Sequence, residues 1–412
     1  MRVCFLLPSL ARSGGSSVVR DCALRLSQRP SVESELVLTA GEPPASGRVQ
    51  SVPIRTLPQA RGQRYELAVA TWWETARALW ELNADRRVCF LQSFEQRFYH
   101  RDELVEQLGA EAILALPVDF IVVAGWMREL LLELRPEANV VHVPNGVDAE
   151  VFAVPQSERG DRPLRVLIEG QPSLWFKGVQ DAVQATRAMD EPAELTLLAL
   201  DPPMAEGLDV DRIVGDLDPS EVAALYAETD VLVKLSRVES LGLPPLEAMY
   251  AGLPSVVTPF TGHEEYLEHG VNGIVVGFDD LAGTARWLDL LAGDRALLER
   301  LSGGARATAA AWPSPGATGE LFVEALTRIV AAPPPAPDPR LLQRTLALHG
   351  ELGRDQAGRL RYTEAALTSA RAHVGEVSAM VNERSAELVA LKSTRSYRLH
   401  RAAARLAGLV RR

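Results

Sequence analysis

The strongest constraint on the fold is a repeated alternation of short β-branched runs with amphipathic segments. Parallel neighbouring strands need a crossover connection, so this alternation predicts an α/β fold with doubly wound parallel sheets. The pattern pauses over residues 148–163 and then restarts, which predicts two Rossmann-like halves. The predicted strands are Arg2–Leu7, Glu35–Leu38, Val88–Leu91, Phe120–Val123 and Val140–Val143, then Leu164–Ile168, Leu195–Leu200, Arg212–Val214, Val231–Leu235, Ser255–Val257 and Ile274–Val276.

Amphipathic stretches between these strands are predicted to be helices. In the first half they are Val18–Ser27, Glu66–Trp80, Arg101–Leu116 and Trp126–Leu134. The segment Leu321–Val330 either completes the second half or crosses back to the first. The predicted domains are residues 1–155, residues 160–330, a proline-rich linker at 331–339 and a helical tail at 340–412.

The tail beyond the prolines has apolar residues at heptad spacing. One heptad position holds Leu346, Leu360, Leu367, Val374, Val381 and Leu388, and the other holds Leu342, Ala370, Val377 and Leu391. This spacing is typical of a coiled coil and would favour a homo-oligomer. Four glycines in the tail weaken helix formation by about 1 kcal/mol each relative to alanine. A single amphipathic helix is the alternative.

Charge and cysteine content narrow the function classes. A net charge of −11 argues against a general nucleic-acid binder, which presents a basic surface. The acidity is uneven, because no acidic residue follows Glu387 while seven basic residues occupy 392–412. That tail either binds an anionic membrane surface or is a solvated terminus. Three scattered cysteines do not predict a disulfide framework or a zinc site. With no run of about 20 apolar residues, we expect a cytoplasmic protein, peripheral on the inner membrane face if the tail binds lipid.

Two glutamates flank the segment from Glu239 to Glu247, Glu-Ser-Leu-Gly-Leu-Pro-Pro-Leu-Glu. Glu239 follows the predicted strand Val231–Leu235, at the sheet edge where open α/β proteins bind ligands. Pro244 and Pro245 suit the first turn of a helix, which is predicted to contain Glu247. Such a carboxylate pair can accept hydrogen bonds from adjacent sugar hydroxyls. Alternatively, Glu247 is only a favourable anion near a helix N-terminus.

Four other loops follow predicted strands and are candidate ligand contacts. Gly14 and Gly15 precede a helix and could present backbone amides to an anion. Lys177 precedes another helix and could meet a phosphate, or be solvated. Asn145 lies in an Asn-Gly turn, and Gly262, His263 and Glu264 follow a strand, where a single histidine is more often structural.

These motifs in this order resemble glycosyltransferase family four, the retaining sugar-nucleotide transferases of the GT-B fold, over residues 1–330. The resemblance implies two Rossmann-like domains facing across a cleft, with the nucleoside-diphosphate sugar bound by the second and the acceptor by the first. It implies that Glu239 contacts the donor sugar, that Glu247 binds the ribose and that Lys177 and the Gly14–Gly15 loop meet the diphosphate. Glu239 and Lys177 are then the predicted catalytic residues. The implied donor-binding set is Gly14, Gly15, Lys177, Glu239, Ser240, Leu241, Gly242, Leu243, Glu247, Gly262, His263 and Glu264.

The sequence departs from that family at two positions. Gln171 occupies the place of an arginine six residues before Lys177, and Arg237 is a possible replacement for its charge. Gln92 and Ser93 replace a histidine that many members carry. The stretch from Phe90 to Tyr99 and the tail around Ser396 are similar to bacterial rhamnosyltransferases of surface-glycan and O-antigen assembly. Gln92, Glu95 and Asn145 are predicted to lie on the acceptor side.

The predicted function is transfer of a hexose, rhamnose or mannose among the candidates, to a glycan or lipid-linked acceptor in bacterial surface-polysaccharide synthesis. No metal and no cofactor besides the sugar nucleotide are expected. Two alternatives remain open. One is an inactive GT-B scaffold that has lost its arginine, and the other is a GT-B enzyme such as a sugar-nucleotide epimerase, for which His263 and Glu264 offer an acid and a base.

Overall fold

Two sheets form the framework of the computed structural model, which describes residues 1–11, 13–157, 162–336 and 339–393. Contacts divide the chain into a compact unit, Met1–Thr345, and a second unit, Leu346–Arg412. Both sheets lie in the first unit. The predicted α/β class with doubly wound parallel sheets is confirmed, whereas the predicted domain boundaries stay predictions.

The first sheet has eight strands in the order β3-β4-β2-β1-β5-β6-β7-β8, parallel except for β3 against β4. We call this sheet with its helices the first lobe. Its central strands are buried on both faces, as parallel sheets covered by helices require. The strands are β1 Arg2–Leu7, β2 Glu33–Leu38, β3 Arg48–Val49, β4 Val52–Thr56, β5 Arg64–Ala70, β6 Asn83–Leu91, β7 Asp119–Val122 and β8 Val140–His142.

The predicted helix Glu66–Trp80 is wrong in its first part, whereas Trp73–Ala76 in its second part do form the short helix α3. Residues Arg64–Ala70 form the strand β5, which pairs with both β1 and β6. Its segment Leu67–Ala70 is completely buried between them. Leucine and alanine favour helix locally, but pairing in a sheet interior overrides that preference. The edge strand β3 and its neighbour β4 had no prediction.

The second sheet has six parallel strands in the order β11-β10-β9-β12-β13-β14. We call this sheet with its helices the second lobe. β9 and β12 are adjacent, with Leu167 in register with Leu232. The strands are β9 Leu164–Glu169, β10 Ala193–Leu198, β11 Arg212–Val214, β12 Val231–Lys234, β13 Ser255–Val257 and β14 Gly273–Val275.

Helices cover both sheets, and one of them crosses between the lobes. α12 follows the second lobe, yet its Phe322 packs against Phe5 and Phe90 of the first, with ring centroids 5.8 and 5.2 Å apart. The crossing-back alternative is therefore the one observed. The helices are α1 Gly14–Ser27, α2 Leu57–Ala60, α3 Trp73–Ala76, α4 Leu104–Ala112, α5 Gly125–Leu134, α6 Ala149–Phe152, α7 Val179–Arg187, α8 Pro219–Glu228, α9 Leu243–Tyr250, α10 Leu281–Gly293, α11 Arg295–Ala311, α12 Pro315–Ala331 and α13 Pro339–Ser393.

The tail forms a single helix of 55 residues, α13. Several of its heptad residues are exposed, among them Leu346, Leu360, Leu367 and Val374. Coiled-coil pairing stays a prediction, and residues 394–412, which carry most of the basic tail, lie outside the described residues. In the part of the chain that is described, no helix has the length and apolarity that a bilayer crossing demands.

Candidate active site

The candidate site is built where two adjacent strands of the second lobe end. β9 ends at Glu169 and β12 ends at Lys234, and Glu239 lies in the loop between β12 and α9. The carboxyl ends of parallel strands meet at one sheet edge, so the fold brings these three side chains together. Lys234 Nζ lies 2.6 Å from Glu169 Oε2 and 3.2 Å from Glu239 Oε1.

Lys177 approaches the same carboxylate from a helical turn, Trp175–Lys177, that follows β9. Its Nζ lies 2.8 Å from Glu239 Oε1. Gly178 then begins α7 with φ +62°, and a Cβ at this position would lie 1.9 Å from the Leu235 carbonyl oxygen. Only glycine permits this turn to pack against the end of β12. The two residues predicted to be catalytic are therefore in direct contact.

Glu239 is ionised at neutral pH. Burial alone would raise its pKa, but the Lys177 and Lys234 ammonium groups and the Ser236 hydroxyl outweigh burial and lower the pKa to about 2. Ser236 Oγ donates to the same Oε1 atom at 3.0 Å. Lys234, conversely, has a raised pKa, because the charges of Glu169 and Glu239 outweigh its burial. The cluster is thus a network of paired charges.

Glu247 lies on α9 near the network, and its pKa is shifted in the opposite direction to that of Glu239. Burial, and then the charge of Glu169, raise the pKa of Glu247 to about 7, and Tyr226 donates a weak hydrogen bond to its Oε2 at 3.4 Å. The prediction that Glu247 sits in the first turn is off by one residue, because α9 begins at Leu243 and Glu247 is its fifth residue. The Glu247 carboxyl therefore binds a proton more readily than the Glu239 carboxyl does.

Two glycine-containing loops support the glutamates. Gly242, at φ +77°, precedes α9, and its carbonyl accepts a hydrogen bond from Tyr266 at 2.8 Å. A Cβ on Gly262 would lie 2.0 Å from the Ser240 carbonyl oxygen, so the two loops are in contact. The Ser240 hydroxyl is buried and has no hydrogen-bond partner among the described residues. Leu241 is buried in the core beneath this loop.

His263 and Glu264 occupy structural positions in the loop after β13. His263 is buried, and its Nδ1 donates to the Phe260 carbonyl at 2.6 Å. Glu264 is largely exposed, and its carboxylate accepts from the Gly262 backbone N–H at 3.0 Å. His263 Nδ1, which also lies 3.2 Å from Glu264 Oε2, therefore contacts two residues of its own loop.

The first lobe places the predicted Gly14, Gly15 and Gln92 at the carboxyl ends of β1 and β6. Gly14 and Gly15 form the first turn of α1, which Ser13 caps. Gln92 Nε2 donates to the Gly15 carbonyl at 3.1 Å, so this contact holds the α1 N-terminus against β6.

Glu95 and Asn145 are both buried, but they do not share contacts. Glu95 accepts the Trp73 backbone N–H at 2.6 Å, and burial raises its pKa to about 8. Asn145 lies at the crossing of α12, where its carbonyl accepts from Trp312 Nε1 at 2.9 Å. No hydrogen bond within the described ranges links Asn145 to Gln92 or Glu95.

Neither Gln171, which stands in the place of the family's arginine, nor Arg237, the possible replacement for its charge, contacts the Glu239 carboxylate. Gln171 Oε1 accepts from the Asp201 backbone N–H at 3.0 Å. Arg237, the predicted replacement, pairs instead with Asp181 at 2.7 Å and Asp279 at 2.5 Å. Besides Lys177, Lys234 places its ammonium group on the Glu239 carboxylate.

Sequence reasoning missed Lys234 and Glu169. The sequence does contain a signal for Lys234, because the chain has 40 arginines but only three lysines, and Lys177 and Lys234 are two of these three. Lys234 also ends a strand whose other residues are apolar, which is an unusual place for a charge.

Residues of the first lobe touch the loop that carries Glu239. Trp126 Nε1 donates to the Ser240 carbonyl at 2.7 Å, and Arg97 Nη1 lies 3.5 Å from the Glu239 carbonyl. The Gly125 backbone N–H donates to Glu265 Oε1 at 2.6 Å. The lobes therefore meet directly over the site. In the described part of the chain, no group of three potential metal-binding side chains was found, and metal independence stays a prediction.

Comparisons with known proteins agree with this arrangement. Residues 206–308 match the family model described as glycosyl transferases group 1, a segment that contains Lys234, Glu239 and Glu247. The glycogen synthase of Mycobacterium tuberculosis is 29% identical over 184 residues, covering 41% of this chain and 44% of that protein. The chain thus spans less than half the length of this curated relative.

Solved structures are similar over a longer part of the chain. Sucrose-phosphate synthase from Thermosynechococcus elongatus has a TM-score of 0.68 at 18% identity, covering 81% of this chain and 100% of that one. The Anabaena protein HepE in complex with UDP-glucose has a TM-score of 0.65 at 17% identity, covering 80% and 100%. These similarities confirm the GT-B fold. The resemblance to group 1 glycosyltransferases is supported, whereas the narrower resemblance to rhamnosyltransferases stays a prediction.

Proposed function

We propose that this GT-B chain is a retaining glycosyltransferase that moves a hexose from a nucleoside-diphosphate sugar to a glycan or lipid-linked acceptor. The observation that carries the proposal is the contact of Lys177 with Glu239 at the carboxyl edge of the second sheet. An ammonium group and an ionised carboxylate side by side suit a ligand that has both phosphate and hydroxyl groups. Glu239 also lies within the segment that matches group 1 glycosyl transferases.

Each side chain has a role that its chemistry supports. Departure of a nucleoside diphosphate develops negative charge on phosphate oxygens, and Lys177 supplies a positive charge for it. Glu239, ionised and partly exposed, would accept hydrogen bonds from the donor sugar. Glu247 would accept them from the ribose, and Gly14 and Gly15 at the N-terminus of α1 would add backbone donors for phosphate.

The mechanism we propose is a same-face substitution without a metal ion. The bond from the anomeric carbon to the diphosphate oxygen breaks, and the acceptor oxygen bonds to the same face of that carbon. The acceptor's proton passes to the departing phosphate oxygen, so no protein nucleophile is needed. Lys177 stabilises the charge that remains on the diphosphate.

The identities of the donor sugar and of the acceptor are the more detailed part of this proposal. HepE binds UDP-glucose, which makes uridine diphosphate sugars the first probes. Rhamnose and mannose donors come from the resemblance to enzymes of surface-polysaccharide assembly. Gln92, Glu95 and Asn145 are the proposed acceptor-side residues of the first lobe.

The test is calorimetric binding and product formation with the full chain, using UDP-glucose, GDP-mannose and dTDP-rhamnose. Lys177→Met and Glu239→Gln should each weaken binding of the donor that the wild type prefers by about tenfold or more, as expected for loss of a charged contact. Arg187→Met and Glu228→Gln are matched controls, because both are surface charges of the same lobe. Wild-type turnover by Glu239→Gln would remove Glu239 from the site and contradict the proposal.

One alternative function has an observation in its favour. Gln171 is held by a backbone contact in the place of the family's arginine, and α13 presents exposed apolar residues. Both fit a GT-B scaffold that binds a sugar nucleotide without transferring it. Donor binding with no product, across glycan and lipid-linked acceptors, would favour the scaffold.

Membrane attachment and self-association complete the proposal. Residues 392–412 carry seven basic side chains, which suit an anionic lipid surface on the cytoplasmic side. Deletion of these residues should abolish sedimentation with phosphatidylglycerol vesicles, and unchanged sedimentation would refute the attachment. The heptads of α13 would join copies of the chain, which light scattering of the full chain against a 1–338 truncation tests.

A further inference from the structure

One oxygen atom of Glu239 receives three donors. Lys177 Nζ, Lys234 Nζ and Ser236 Oγ lie 2.8, 3.2 and 3.0 Å from Oε1. Within the described residues, no donor is hydrogen-bonded to Oε2. The carboxylate is therefore fixed through one oxygen, and the other is available to a ligand.

The two lysines differ in how they are held. The Lys177 side chain is 22% exposed, and among the described residues Glu239 is its one carboxylate partner. The Lys234 side chain is completely buried, and it contacts Glu169 as well as Glu239. Lys177 ends a short turn and can rotate toward a ligand, whereas Lys234 is fixed at the end of a central strand.

Lys177 cannot neutralise Glu239 and bind the donor diphosphate at the same time. If Lys177 turns to the diphosphate, Glu239, whose side chain is only 12% exposed, loses that counter-ion. A buried carboxylate without a cation takes up a proton, because burial disfavours the charged form. Protonated Glu239 would lose its ability to accept two hydrogen bonds through each oxygen. A second cation that does not move would prevent this.

We propose that Lys234 is a positioning residue that remains on Glu239 Oε1 while Lys177 turns to the donor diphosphate, keeping Glu239 ionised and aimed at the donor sugar. This inference rests on the proposed function. Lys234 acts through Glu239 and does not touch the substrate. Glu169, which is partly exposed, is the second anchor that holds the Lys234 ammonium in place.

A simpler role for Lys234 is to neutralise Glu169. Two variants separate these roles. Lys234→Met removes the cation but leaves the Glu169 and Glu239 carboxylates close together, and their repulsion also lowers the stability of the folded protein. The double variant Lys234→Met/Glu169→Met removes the whole pair, and such apolar replacement of a buried ion pair is often neutral for stability. If Lys234 only neutralises Glu169, the double variant restores the wild-type site.

The experiment compares calorimetric affinities for UDP and UDP-glucose, GDP and GDP-mannose, and dTDP and dTDP-rhamnose between pH 5 and 9. We expect both Lys234 variants to bind the nucleoside diphosphate like the wild type but to lose about tenfold in affinity for the matching sugar nucleotide at pH 7. That loss should shrink as pH rises, since Glu239 regains its charge. Lys177→Met should weaken both ligands at every pH.

Each outcome bears on one conclusion. Recovery of the sugar-nucleotide affinity in the double variant, or a loss that does not change with pH, would overturn the role of Lys234 while leaving the proposed function in place. Failure of the wild type to bind any of the three sugar nucleotides would overturn the proposed function and this inference with it. Urea unfolding of each variant establishes that the compared proteins are folded.

Discussion

Gly178→Ala is expected to damage both stability and activity, because this glycine fixes the turn that carries Lys177. Gly178 has φ +62°, and a Cβ there would lie 1.9 Å from the Leu235 carbonyl oxygen. Real Cβ atoms keep at least 3.0 Å from such neighbours, so the turn must shift by about 1 Å. Gly47 is a matched control, since it also has φ +62° but no heavy atom within 4 Å of its Cβ position.

The two substitutions share one cost and differ in another. A non-glycine residue in the left-handed region costs about 1–2 kcal/mol, which applies to both variants. Forcing an extra group into a packed site adds about 1–3 kcal/mol, which applies to Gly178→Ala alone. We therefore expect a loss of about 1 kcal/mol for Gly47→Ala and about 3 kcal/mol for Gly178→Ala. Urea unfolding followed by tryptophan fluorescence measures the difference.

The displacement of this turn should also lower the rate of sugar transfer, because it moves Lys177. A shift of about 1 Å in a catalytic group can lower the rate by about a hundredfold. Lys177 directly precedes Gly178, so turnover of the preferred sugar nucleotide should fall by that order in Gly178→Ala and stay at the wild-type level in Gly47→Ala. Equal stability of the two variants, together with wild-type turnover by Gly178→Ala, would refute the reasoning.

Three further predictions concern titratable side chains away from Lys177. Because burial raises the pKa of Glu95 to about 8 from an ordinary value of 4.5, the folded state holds a proton that the unfolded state loses, and stability should fall as pH rises between those values. Glu95→Gln should remove this pH dependence and stabilise the protein by on the order of 3 kcal/mol at pH 8. Urea unfolding at pH 5 and pH 8 measures this, and an equal change in unfolding free energy between the two pH values in wild type and variant would contradict the prediction. Arg135→Met removes the buried guanidinium that donates to the Leu114, Leu116 and Ala336 carbonyls and should cost about 3 kcal/mol, against no measurable loss for the exposed Arg128→Met. Glu265→Ala removes the acceptor of the Gly125 N–H between the lobes and should lower the thermal midpoint, equivalent to about 1 kcal/mol; an unchanged midpoint would show that this contact adds nothing.

The α/β class could be predicted from sequence because the alternation of strands and helices repeats many times. The strands β1, β12 and β13 matched their predicted positions to within a residue. β5 was misread as a helix, since its Leu-Ala-Val-Ala core has no signature that separates a buried strand from a buried helix. Its partners β1 and β6 decide the outcome, and they are distant in sequence.

The candidate site was predictable where chain order alone brings residues to one sheet edge. Glu239 and Lys177 each follow a predicted strand, and adjacent strands bring them within 2.8 Å. Arg237 was a wrong choice for the missing charge, because position beside Glu239 in sequence says nothing of side-chain direction. Asp181 and Asp279, on other elements, determine where that guanidinium points.

The identity of the cations adds a physical argument about the network. A chain that uses arginine 40 times and lysine three times places two lysines on one glutamate oxygen. A guanidinium has five donors in a rigid plane and could not share one oxygen with a second cation and a hydroxyl without leaving buried donors unpaired. An ammonium is compact and can rotate its three donors, so two of them fit where two guanidinium groups would not. Lysine at both positions therefore suits the sharing of Glu239 Oε1, and we expect this sharing to let Lys177 move while Lys234 stays.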